Sequence, residues 1–110
     1  MLDLRGQADQ IGIDCVALKK IYSIFLDTAA VELKELKKAM NSGDSRKICR
    51  LAHHLKGSAK GLDIIDVGEI SGYIEDHAAQ ITYDELTDKI LEMENVCQTL
   101  KTELEEYYGL

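Results

Sequence analysis

The chain has 110 residues, a hydrophobic content of 45% and a net charge of −7. This length fits one domain, residues 1–110, with a single hydrophobic core. The acidic balance argues against nucleic-acid binding, which needs a wide basic surface, and the chain lacks the run of about 20 apolar residues that crosses a membrane. We therefore expect a cytoplasmic monomer that binds neither nucleic acid nor membrane.

The cysteines predict neither disulfides nor a zinc site. Cys15, Cys49 and Cys97 are odd in number and show no C-x-x-C spacing. Reduced thiols are the simplest interpretation, and they agree with a cytoplasmic location. No metal or other cofactor is expected.

The first strong pattern predicts a long amphipathic helix from Cys15 to about Asn41, with Asp14 as its N-cap. A short helix from Leu2 to Gln10 is a weaker prediction, since Gly6 and the polar sequence oppose it. Apolar residues recur along the long helix at three- and four-residue steps: Leu18, Tyr22, Phe25, Ala29, Leu33, Leu36 and Met40. Charged residues are assigned to its other faces: Lys19, Lys20, Glu32, Lys34, Glu35, Lys37 and Lys38. Gly43 ends this helix.

The second predicted helix follows Asp44, its expected N-cap. It lies in a segment whose net charge is positive, although the whole chain is acidic. Ser45 to Leu62 contains no Asp or Glu and carries +5, so the rest of the chain carries −12. Its predicted core face consists of Ile48, Leu51, Ala52, Leu55, Ala59 and Leu62. The opposite face consists of Arg46, Cys49, Arg50, His53, Lys56, Gly57 and Lys60.

His53 is therefore predicted to be an exposed imidazole with basic residues one turn away on either side. Gly57 lies one turn further along the same face and leaves room for another molecule beside the ring. His54 points about 100° away, so the two rings cannot bind one metal ion as an i, i+4 pair would. This pattern predicts a docking site centred on His53.

Two further helices complete the predicted fold. Asp63 is expected to cap the third, whose apolar line is Val67, Ile70, Ile74 and Ala78. Gly68, Ser71 and Gly72 would allow close helix approach, and His77 is assigned to the core or its boundary. Thr82 to Glu85 forms a capping box that opens the fourth helix, with Leu86, Ile90, Met93, Cys97, Leu100 and Leu104 at bundle spacing. With no proline and short connections, the sequence predicts an all-α, antiparallel up-down four-helix bundle.

The segment from Ala52 through His53, Leu55, Lys56 and Gly57 to Ser58 resembles the signature of histidine-containing phosphotransfer (HPt) domains. The resemblance extends to the Gly43-Asp44 turn and to Ile74-Glu75, where the family often has Leu-Glu. One position departs from the pattern. Asp63 stands where the family commonly has glycine, which puts the shape of that turn in question.

This resemblance implies a phosphocarrier and not an autonomous enzyme. His53 would accept a phosphoryl group from the aspartate of a response-regulator receiver domain, or pass it back, in a relay fed by a sensor or hybrid histidine kinase. The neutral imidazole supplies the nucleophile. The partner would supply the phosphate-binding groups and magnesium, since the chain has neither a phosphate-binding glycine loop nor a cluster of carboxylates for that ion. Arg46, Cys49, Arg50, Lys56, Gly57 and Lys60 would stabilise the phosphoryl group or contact the partner. Two alternatives stay open: a helical interaction module that is not phosphorylated, or part of a larger sensor or chemotaxis-type kinase.

Overall fold

The computed structural model describes residues 15–108 and consists of four α-helices there, with no strand. They are α1 (Cys15–Ser42), α2 (Ser45–Gly61), α3 (Ile65–His77) and α4 (Tyr83–Tyr108). The helix predicted from Leu2 to Gln10 and the cap predicted at Asp14 lie outside the described residues.

The four helices form the predicted bundle. Each helix packs against its two neighbours in a closed ring, α1 on α2, α2 on α3, α3 on α4 and α4 on α1. Short connections make consecutive helices antiparallel. The largest fully buried side chains include Tyr22, Leu18, Leu36, Leu55, Ile74, Leu86, Ile90 and Met93. Most predicted core positions are buried, while Met40, Leu51, Leu62, Ile70 and Cys97 pack half-buried at its edge.

The turn from α1 to α2 has the predicted form. Gly43 takes a φ of +69°, a left-handed conformation that costs glycine little. The N–H of Asp44 then donates to the carbonyl of Ala39 at 3.0 Å, closing a Schellman motif. Asp44 also caps α2, since its Oδ1 accepts from the N–H of Lys47 at 3.1 Å. Local signals therefore fix both the end of α1 and the start of α2.

The turn from α2 to α3 differs from the prediction. Asp63 does not cap α3; the N-cap position is Ile64, which makes no side-chain capping bond. Asp63 instead takes a φ of +59° and closes a second Schellman motif, in which the N–H of Ile64 donates to the carbonyl of Ala59 at 2.8 Å. The aspartate thus adopts the conformation that a glycine would favour, and the turn keeps this form without one.

The predicted capping box of α4 is only half formed. The N–H of Glu85 donates to the hydroxyl of Thr82 at 3.2 Å, as expected. The second bond of the box, from the N–H of Thr82 to the Glu85 carboxylate, is replaced, because that carboxylate accepts from the hydroxyl of Tyr73 on α3 at 3.2 Å. A tertiary partner therefore takes the carboxylate that the local motif would have used.

Candidate functional site

The two faces of α2 separate as the sequence predicts. Its buried residues are Ile48, Ala52, Leu55 and Ala59. On the opposite face Arg46, Arg50, His53, Gly57 and Lys60 are exposed, and Cys49 and Lys56 are half-buried. The predicted site residues therefore lie together on one surface.

His53 is held by a carboxylate from α3. Its Nδ1 lies 2.6 Å from Oε2 of Glu75, and its side chain is 70% exposed. An ionised carboxylate only accepts hydrogen bonds, so Nδ1 carries the hydrogen and donates it to Glu75. In the neutral ring this leaves the lone pair on Nε2. The contact thus orients the ring and leaves Nε2 as the nitrogen with a free lone pair.

The same carboxylate pairs with Lys56. Its ammonium lies 2.5 Å from Oε1 of Glu75. The pKa of Glu75 falls below its ordinary value chiefly because of Lys56, with the His53 contact acting in the same direction. The pKa of Lys56 rises, mainly because of its hydrogen bond to Glu75. Glu75 is therefore ionised at neutral pH and bridges the two α2 side chains.

Glu75 changes the electrostatics that the sequence suggested. The pattern along α2 gave His53 an uninterrupted positive setting, but the Glu75 carboxylate lies within it. The resemblance had picked out Glu75 without a role for its side chain. Its backbone carbonyl also lies 3.8 Å from Sγ of Cys49, whereas Arg46, Arg50 and Lys60 form no ion pair with the part of the chain that the structure describes.

The surface beside His53 is open at Gly57. A Cβ built on this glycine would meet no heavy atom within 4 Å apart from its own helix backbone. Gly57 is therefore not needed for packing within the described bundle. The space is available to a partner molecule that approaches the ring.

His54 belongs to a second histidine–carboxylate pair, on the other side of α2. Its Nδ1 lies 2.7 Å from Oε2 of Glu32 on α1. Assigning Glu32 to a face other than the core face was wrong, because the residue is 8% exposed and its Oε1 is buried with no donor among the described residues. Glu32 lies one turn from both Ala29 and Leu36, which are buried, so its position falls on the edge of the core face.

The third histidine lies away from both pairs. His77 is exposed, so assigning it to the core or boundary was wrong. Its ring stacks on that of Tyr73 at a centroid distance of 4.1 Å, and its Nδ1 lies 2.8 Å from the Tyr73 carbonyl. Within residues 15–108, no group of three His, Cys, Asp or Glu side chains is placed to hold a metal ion.

A scan against models of protein families matches the Hpt domain over residues 20–107. The chain belongs to the Hpt domain family. Hpt domains are histidine phosphotransfer modules of two-component phosphorelays, and they act as phosphocarriers rather than enzymes. Searches of curated proteins and of solved structures give no significant match. Within the described residues of this Hpt domain, no helix has the length and apolar character of a membrane span.

Proposed function

We propose that this Hpt domain carries a phosphoryl group on Nε2 of His53, between a histidine kinase pathway and the aspartate of a response-regulator receiver domain. The contact that supports this most strongly is the 2.6 Å hydrogen bond between Nδ1 of His53 and Glu75. It keeps the hydrogen on Nδ1 and leaves the Nε2 lone pair free for attack. The exposure of the ring makes it accessible to a partner domain.

The transfer step needs no base within this chain. The Nε2 lone pair attacks phosphorus, the P–N bond forms, and the P–O bond to the partner's aspartate breaks as its carboxylate leaves. The Nδ1 hydrogen stays in place, so the ring becomes positively charged. Glu75 faces that charge and stabilises it in the transition state. The reverse transfer uses the same groups in the opposite order.

The receiver domain would supply the groups that this surface lacks. Phosphoryl transfer depends mainly on positioning and on charge stabilisation around the equatorial oxygens. We assign magnesium and its carboxylate ligands to the receiver domain. Lys56 and Lys60 would add positive charge near the phosphoryl group, although Lys56 is partly neutralised by Glu75 in the unphosphorylated state. Gly57 would leave the space into which the receiver domain docks.

Phosphoryl transfer can be followed directly with radiolabelled phosphate. The chain is incubated with a receiver domain charged from labelled acetyl phosphate, and separately with a sensor kinase and labelled ATP. We expect label to pass from the receiver domain to the chain, and no label from ATP when the kinase is omitted. Binding without transfer would favour an interaction module, and label from ATP without kinase would contradict a phosphocarrier. Comparing His53→Gln in both incubations assigns the label to the proposed site.

A further inference from the structure

The aliphatic parts of two lysine side chains of α2 pack beside two glycines of α3. A Cβ built on Gly72 would lie 3.4 Å from Cδ of Lys56, and one built on Gly68 would lie 3.3 Å from Cγ of Lys60. The glycines are four residues apart on α3 and the lysines are four residues apart on α2, so each pair lies one turn from the other. The aliphatic stems therefore cross the α3 backbone where it has no side chain.

The two lysines differ in the contacts that their ammonium groups make. The Lys56 side chain packs beside Gly72, and its ammonium contacts Oε1 of Glu75. The other oxygen of Glu75 accepts the hydrogen bond from Nδ1 of His53. Lys60 forms no ion pair within the described residues. Gly72 is thus linked to His53 by the contacts of Lys56 and Glu75, whereas Gly68 has no such link.

We propose that Gly72 is a positioning residue for phosphoryl transfer, because its missing side chain lets Lys56 lie against α3 and hold Glu75 on His53. This inference rests on the proposed function for its kinetic consequence, but the contacts themselves can be tested without any transfer. Gly72 touches neither the phosphoryl group nor the reacting nitrogen. It acts through Lys56 and Glu75.

The size of the side chain at position 72 decides the effect. A Cβ at 3.4 Å is in ordinary contact with the Lys56 side chain, so Gly72→Ala should be tolerated and should raise Tm slightly, because alanine favours a helix more than glycine does. The γ and δ carbons of leucine would need the space beside Gly72 that the Lys56 side chain occupies. Gly72→Leu should therefore displace Lys56 and release Glu75. Gly68→Ala is the control. Its Cβ would lie slightly closer to a lysine side chain, but that lysine, Lys60, forms no ion pair with Glu75.

Nuclear magnetic resonance of the unphosphorylated protein tests the positioning directly. In Gly72→Leu, the pKa of Glu75 should rise toward its ordinary value, and the ¹⁵N shifts of the His53 ring should show less of the Nδ1–H tautomer. Transfer from a phosphorylated receiver domain should slow about two- to fivefold, the range expected for losing an ion pair at the protein surface. Gly68→Ala should leave the pKa of Glu75 and the His53 tautomer unchanged. An unchanged Glu75 titration in a folded Gly72→Leu protein would overturn the proposal.

The Lys56→Ala background separates positioning from a general folding effect. Once the stem is absent, Gly72→Leu should have no further effect on Glu75 or on the transfer rate, because the two substitutions act through one contact. If Gly72→Leu alone does not fold, the double variant should recover folding, and its failure to do so would overturn the proposal. If wild type shows the expected titration but no phosphorylation, the proposed function fails while the Gly72 contact stands.

Discussion

Removing the His54 side chain should destabilise the bundle much more than removing that of His53, although the two residues are adjacent and similarly exposed. In His54→Ala, the Glu32 carboxylate loses the one donor that it has among residues 15–108, and Glu32 is 8% exposed, with no donor to its other oxygen in that range. Leaving a buried acceptor without a partner costs about 1–3 kcal/mol. For a domain of this size, a loss of about 2 kcal/mol corresponds to a fall in Tm of roughly 10 °C.

Urea and thermal unfolding of His54→Ala and His53→Ala, monitored by circular dichroism, provide the comparison. His53→Ala should stay within about 0.5 kcal/mol of wild type, because a largely exposed residue carries little packing energy and Glu75 keeps Lys56 as a partner. Glu32→Met in the His54→Ala background should recover most of the loss, since replacing both members of a buried polar pair is nearly neutral. Equal stability of the two single variants would refute the role given to Glu32.

Three further substitutions test other parts of the structure. Asp63→Gly should be about 1 kcal/mol more stable than Asp63→Ala in urea unfolding, because only glycine takes the observed φ of +59° without strain; equal stability would contradict this. Gly57→Gln should preserve or slightly raise Tm but slow transfer from a receiver domain, and loss of folding would show a structural role instead. Lys56→Ala should slow transfer without abolishing it. Its stability deficit should be present at neutral pH and disappear as pH falls through the pKa of Glu75, which the neighbouring Lys56 lowers below its usual range; a deficit that persists in strong acid would contradict the ion pair.

The helices and two of their ends follow from short-range patterns. Apolar spacing along α1 and α4 identifies their buried faces, and the cap at Asp44 involves a residue only three positions away. Such signals are contained within a few consecutive residues. Asp63 was misassigned because an aspartate before a helix fits either a cap or a left-handed turn, and the hydrogen bonds to Ala59 and Lys60 select the turn.

The carboxylates that hold the histidines could not be placed from the sequence in the same way. Glu75 and Glu32 are each 22 residues from the histidine they contact, and they reach α2 from different helices. Their contacts depend on how α3 and α1 are rotated about their axes against α2, which periodicity gives only coarsely. The surface of α2 was therefore predictable, while the partners that orient its imidazoles required the tertiary structure.

Phosphate mapping in the two histidine variants tests the central claim most directly. The protein is phosphorylated by its receiver domain or kinase, kept at neutral or basic pH, and analysed by mass spectrometry. We expect an acid-labile, base-stable phosphate on His53 in wild type and in His54→Gln, and none in His53→Gln, whose circular dichroism should be unchanged. Phosphate retained in His53→Gln and lost in His54→Gln would contradict the assignment of His53 as the acceptor.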